Sequence, residues 1–123
     1  MNLQLQRASR ALPGPISYRI HGPGDYFYRA QLQPDGRYRV EKGSFRSAPP
    51  RIGRIDADAR LRIDLLLARA APLSSWSFGP QVEAFESELE LAGGREPRVF
   101  RWSTNSVGVP RALASLAELL HGL

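Results

Sequence analysis

Residues 16–43 read ISYRIHGPGDYFYRAQLQPDGRYRVEKG, and this stretch sets the fold class. Ile16, Tyr18 and Ile20 alternate with Ser17 and Arg19, and Tyr26, Tyr28, Ala30 and Leu32 alternate with Phe27, Arg29 and Gln31. Successive side chains of a strand point to opposite faces, so a period of two marks a strand with one buried face and one wet face. Arg37 to Gly43 resumes the pattern, with Tyr38, Val40 and Lys42 opposite Arg37, Arg39 and Glu41. Turn formers separate the three runs. His21-Gly22-Pro23-Gly24-Asp25 is one cluster, and Gln33-Pro34-Asp35-Gly36 is the strongest turn in the chain. There Pro presets φ, Asp bonds the backbone ahead of it and Gly takes the left-handed position. Tyr18-Arg19, Tyr28-Arg29 and Tyr38-Arg39 recur every ten residues, the period of a meander in which each strand and its turn take about ten. Tyr is expected on the core side each time and Arg on the solvent side.

Upstream, Leu3 and Leu5 alternate with Asn2, Gln4 and Gln6, a further strand that Pro13-Gly14-Pro15 ends. The N-terminal β-meander is thus expected over about 1–45. Ser47-Ala48-Pro49-Pro50 closes it, and Arg51 to Ile55 reads as a lead-in to the next element. Asp56 is placed to cap a helix over about 57–70, with Asp58 in its first turn and Pro72 beyond its end. Arg60 and Asp64, four apart, can pair on it. Its apolar residues form two stripes, Leu61/Leu65/Ala68 and Ile63/Leu66/Leu67/Ala70. Such a helix is expected to be covered on both sides, by the sheet and by either the Trp76 segment or a second subunit. Arg60 to Leu65 also alternates strictly, which keeps a strand open as the alternative there.

Glu83 to Leu91 reads as a strand with Glu86, Glu88 and Glu90 on one side and Phe85, Leu89 and Leu91 on the other. With Gly93-Gly94 as a two-residue turn, a β-hairpin over about 83–103 sets Phe85 against Trp102 and Glu86 against Arg101. The acidic stripe then has a structural explanation and is not read as a metal or acid–base cluster. The last element is a helix over about 110–121. Pro110 suits its first position, Leu113, Leu116, Ala117 and Leu120 form its apolar stripe, and Gly122 ends it. The whole is expected to be one α+β domain: a mostly antiparallel β-meander sheet of five or six strands with two α-helices packed on one face.

A chain of 123 residues with 42% hydrophobic and 24% charged side chains can bury a core without metal or disulfide staples, and reads as soluble and globular. The absence of cysteine removes thiolate metal sites, iron–sulfur clusters and cysteine nucleophiles together, and His21 and His121 are the only imidazoles. Phosphate-binding glycine loops, His-Glu-x-x-His and Gly-x-Ser-x-Gly are all missing. His21 with Asp25 reads as a hairpin loop rather than a base and its orienting acid, and Trp102 to Ser106 as a polar loop before a helix. No catalytic residue, metal ligand or cofactor is assigned, and the chain is expected not to be an enzyme. No apolar run reaches membrane-spanning or signal-peptide length, so a cytoplasmic location is expected and a membrane partner is not.

Charge supplies the functional expectation. Residues 1–54 hold nine Arg and Lys42 against three acids, a net of +7, whereas residues 55–123 carry a net of −2. Arg19, Arg29, Arg37 and Arg39 fall together on the predicted wet face and could bind an anionic partner, since guanidinium groups grip carboxylates and phosphates bidentately. An ordinary solvated sheet face explains the same residues. Trp76 and Phe78, near Gly79-Pro80, mark a loop that either contacts a partner or fills the core. The leading expectation is a small protein-interaction module acting through the Arg face or exposed loops. A nucleic-acid-binding accessory protein is the alternative, although Phe27 is the one aromatic interleaved with the cations, where stacking platforms show two or three. A homodimer is consistent with the two-striped helix.

From Gly53 to Leu123 the order is helix, strand, strand ending in Phe100 and Trp102, then Val109-Pro110-x-x-Leu113-x-x-Leu116. This half of the chain resembles small bacterial proteins of the emfourin type, which combine a short sheet with two helices. The resemblance implies tight protein inhibition of thermolysin-like metalloproteases. The glycine-rich N-terminal segment associated with that family is replaced here by the longer meander, and no functional residue is carried over.

Overall fold

A computed structural model of the chain describes residues 14–43, 49–77, 85–93, 96–103, 106 and 108–123. In chain order these form β1 (Ile16–Gly22), β2 (Tyr26–Leu32), β3 (Arg37–Gly43), β4 (Arg51–Arg54), α1 (Ala57–Ala70), β5 (Trp76–Ser77), β6 (Glu86–Leu91), β7 (Arg98–Ser103) and α2 (Arg111–His121). The strand order is β4-β3-β2-β1-β6-β7-β5, antiparallel throughout except for the parallel β5–β7 pair. The architecture is therefore α+β with two helices, as expected, but the described residues hold seven strands rather than five or six. The strand expected over Asn2–Gln6 lies outside them. The two additions are edge strands without a sequence pattern. β4 has one large apolar residue, Ile52, and that is exposed, while β5 is two residues long. Gly53 suits β4 for a packing reason: the Tyr38 ring lies against it where any Cβ would stand.

The three-strand run behaves as its alternation requires. Tyr18 pairs with Ala30 and Ala30 with Val40, and this row is buried on the inner face. Tyr18 and Tyr28 are buried, Tyr38 is half-buried against the same core, and Arg19, Arg29 and Arg39 lie on the other side. The Gln33–Gly36 turn closes with Gly36 N–H donating to the Gln33 carbonyl at 2.9 Å and the Asp35 carboxylate accepting from the Arg37 N–H at 3.0 Å. Gly36 has φ +93°, which only glycine adopts cheaply.

Helix α1 begins where Asp56 accepts a hydrogen bond from the Ala59 N–H at 2.8 Å, and residues 60–67 are helical, which removes the strand alternative. Its far end is fastened by a residue that local reasoning did not identify. Arg98, at the start of β7, donates through Nη1 to the carbonyls of Ala70 (2.7 Å), Leu73 (3.1 Å) and Ala71 (3.2 Å). These carbonyls lie at the helix end and just beyond it, where a cation also suits the helix dipole. Ile63 and Ala70 are buried and Leu66 and Leu67 half-buried. The Leu61/Leu65/Ala68 stripe departs from expectation. Leu61 and Leu65 are 49% and 62% exposed, so the described residues cover them only in part.

Pro110 stands just before α2, at its N-cap rather than inside it, with ψ 135°. Leu113, Leu116, Ala117 and Leu120 are buried against the sheet and α1, as their spacing requires. The Tyr28 hydroxyl donates to the Leu120 carbonyl at 2.7 Å and so ties α2 to the middle of the sheet. Burial, then the neighbouring Tyr18 and Tyr26, push its pKa up to about 12, which keeps the proton in place as a donor.

The β6–β7 hairpin corrects the expected register by two residues. Ser87, not Phe85, faces Trp102, and Glu88, not Glu86, faces Arg101. The ladder ends at Leu91–Arg98, so the connection is longer than a two-residue turn at Gly93-Gly94. A shift of two preserves both faces, so the expected alternation holds while the pairing differs. Phe85 instead lies over Gly22 and meets Tyr26 edge to face, with ring centres 5.3 Å apart.

Leu116 is fully buried, so Leu116→Ala should lower unfolding stability by about 2–5 kcal/mol in urea titration. Tyr28→Phe should cost about 1 kcal/mol by removing one buried hydrogen bond, with the circular dichroism spectrum unchanged.

Candidate functional site

The outer face of the sheet gathers the charges into rows. Glu41, Arg29, Arg19, Glu88 and Arg101 stand in register across β3, β2, β1, β6 and β7. The next row runs Ile52, Arg39, Gln31, Ser17, Glu90 and Val99, and on the other side Phe27, His21 and Glu86 line up. Three elements far apart in sequence thus share one surface because β1 is the central strand.

Glu88 is the hub of this surface. Arg19 Nη2 donates to one carboxylate oxygen at 2.9 Å and Arg101 Nε to the other at 2.8 Å. Burial pushes the Glu88 carboxyl up, but the hydrogen bonds from Arg101 and Arg19 outweigh it and hold the group below the ordinary Glu range. The Arg19 Nε is buried and has no hydrogen-bond partner among the described residues.

The expected Arg set is only partly available to a partner. Arg19 is engaged by Glu88. Arg39 pairs with Glu41 at 3.1 Å, and Arg37 with Asp35 at 2.7 Å. The backbone N–H of Arg37 and then its guanidinium hold the Asp35 carboxyl below its usual value. Both of these pairs are exposed, and exposed pairs open readily. Arg54 faces Arg37 across the β3–β4 ladder and adds a second exposed cation at that edge. Arg29 differs from the rest: it is half-buried and makes no ion pair with a described residue. It borders a cleft of about 190 Å³ lined also by Ser17, Gln31, Gln33, Glu90 and Ala92. The lining offers hydrogen-bond donors and acceptors around one guanidinium, which suits an amide or carboxylate group and contains no imidazole for proton transfer.

Trp76, expected in a loop that either contacts a partner or fills the core, is half-buried in β5, where it packs edge to face on Phe100 at 5.8 Å and against Trp102 at 6.2 Å. Phe78 lies outside the described residues, as do Thr104 and Asn105. His21 is exposed at the end of β1. Among the described residues no group of three or more His, Asp or Glu is arranged to hold a metal ion, and no helix is long and apolar enough to cross a membrane. The alternation identified the Arg face. It could not identify Glu88 and Arg101 as the groups that occupy Arg19, because that depends on which strand lies beside β1.

Compared with protein-family models and with curated proteins, the chain matches neither a family model nor a curated sequence.

Because the Glu88 pKa is depressed on folding, its contribution to stability is present above the ordinary Glu pKa and is lost as pH falls through the lowered value. Glu88→Gln should therefore be less stable than wild type by about 1–3 kcal/mol at neutral pH, and the gap should close in acid. Urea titrations at the two pH values would measure it.

Proposed function

We propose that the chain is a small non-enzymatic module that binds a protein partner through the outer face of its sheet. The observation that carries this reading is Arg29, a half-buried guanidinium that makes no ion pair with a described residue on a face where Arg19, Arg37 and Arg39 each make one. A partner carboxylate or backbone carbonyl entering the cleft beside Ser17 and Gln31 would supply the missing acceptor. Around that point the charges alternate. Arg37, Arg39 and Arg54 favour acidic groups at one edge, while Glu86 and Glu90 favour basic ones toward β6. Patterned charge of both signs suits a protein surface, where it selects a partner and its orientation. A nucleic acid laid across the same rows would bring phosphates against Glu86, Glu88 and Glu90, which is why it ranks second. Tight inhibition of a metalloprotease, the activity implied by the emfourin resemblance, is one form that such binding takes.

Affinity capture from host lysate with the tagged chain, with and without nuclease, tests the reading. The expected outcome is a captured protein that survives nuclease, with binding weakened at least about tenfold by Arg29→Glu. Capture of nucleic acid alone, with affinity falling steeply as salt rises, would replace the protein partner with the second reading.

A further inference from the structure

Helix α1 presents to solvent an apolar stripe framed by charges in a particular order. Asp58, Arg62, Leu65 and Arg69 follow one another at spacings of four, three and four residues, a single line down the helix, with Leu61 and Ala68 beside it. Leu61 is 49% exposed and Leu65 62%, so two of the five exposed large apolar side chains among the described residues lie here. Leu65 also forms one side of a groove of about 430 Å³ between α1 and α2, to which Leu66, Leu119, Arg62, Arg69 and Glu118 contribute. Asp58, Arg62 and Arg69 make no ion pair with a described residue.

The order of charges says what fits. The acid stands at the N-terminal end of the stripe and the base at its C-terminal end. The dipole of the helix itself favours that order, but it leaves the two leucines between them unexplained. A parallel neighbour of the same kind would set Asp58 on Asp58 and Arg69 on Arg69. An acidic peptide would meet Asp58 and Glu118, and a basic one Arg62 and Arg69. An antiparallel copy of the same helix sets Asp58 of each copy against Arg69 of the other, and Arg62 then lies with its aliphatic stem along the other copy's Leu65.

We propose that this face is where a second copy of the chain docks, with the two α1 helices packed antiparallel about a twofold axis near Ile63 and Asp64. A twofold axis makes each contact occur twice. Asp58 of each copy meets Arg69 of the other, Leu61 and Leu65 of both copies close over one another beside the groove, and the two helix dipoles oppose. The surface is separate from the outer face of the sheet, so the dimer and the protein-binding reading stand or fall independently.

Sedimentation velocity of the full chain, from low micromolar to about 1 mM, tests the proposal. Wild type is expected to form a reversible dimer. Leu65→Asp should raise its dissociation constant more than about tenfold, with an unchanged circular dichroism spectrum, because the side chain is mostly exposed. Asp58→Arg and Arg69→Asp should each weaken the dimer alone, and an equimolar mixture of the two should regain it, since the mixed pair restores both contacts. Arg29→Glu should leave it unchanged. A wild type that stays monomeric throughout would overturn the proposal, as would a dimer indifferent to Leu65→Asp or a mixture no tighter than its components. If Leu65→Asp loses its cooperative melting transition, the charge mixture decides.

Discussion

The pairing of β1 with β6 is the constraint on which the rest of the structure depends. It joins strands about seventy residues apart in sequence and turns two antiparallel systems, the meander and the C-terminal hairpin, into one sheet. Each face of that seam carries a specific bond. On the inner side the buried Tyr18 hydroxyl meets Ser87 Oγ at 3.1 Å, which satisfies two polar atoms that the core would otherwise strand. On the outer side Arg19 meets Glu88. A slip of one residue would exchange the faces and bury Glu88 among leucines, so the register is held by what it would cost to lose.

The helices are attached to this sheet by polar contacts at their C-terminal ends as well as by apolar packing along their length. Tyr28 reaches the Leu120 carbonyl, and Arg98 gathers three carbonyls at the end of α1. Both contacts use backbone carbonyls at or just beyond a helix end, and both start from strands. The helices are thereby held in place relative to the sheet, and the described residues leave the polar outer face uncovered. That division puts the helices on one side of the sheet and the charged rows on the other.

On that surface, local neutralisation matters more than net charge. A chain with an excess of five positive charges suggests a cationic face. The folded arrangement instead pairs three of its four candidate arginines with neighbouring carboxylates, and Glu88 engages Arg101 as well as Arg19. What distinguishes Arg29 is its position on β2 between Arg19 and Glu41, where Glu88 is already occupied and Glu41 turns toward Arg39.

Short-range information was legible in the residues themselves. Alternation marked β1, β2, β3 and the outward glutamates of β6. Pro34-Asp35-Gly36 marked the turn, Asp56 the helix start, and the leucine spacing of α2 its buried face. Each of these depends on groups within a few positions of one another, where backbone sterics and the separation of apolar from polar side chains suffice. The two-residue shift in the β6–β7 register, the edge strands β4 and β5, the capping role of Arg98 and the exposed Leu61 and Leu65 were not legible in that way. Each is decided by what lies alongside once the chain has folded, because a strand without alternation forms only where a neighbour offers a free edge. An apolar stripe, likewise, is buried only where another surface reaches it. The candidate site divides along the same line. The Arg face follows from the period of two, whereas the singular position of Arg29 follows from β1 lying beside β6 and bringing Glu88 to Arg19.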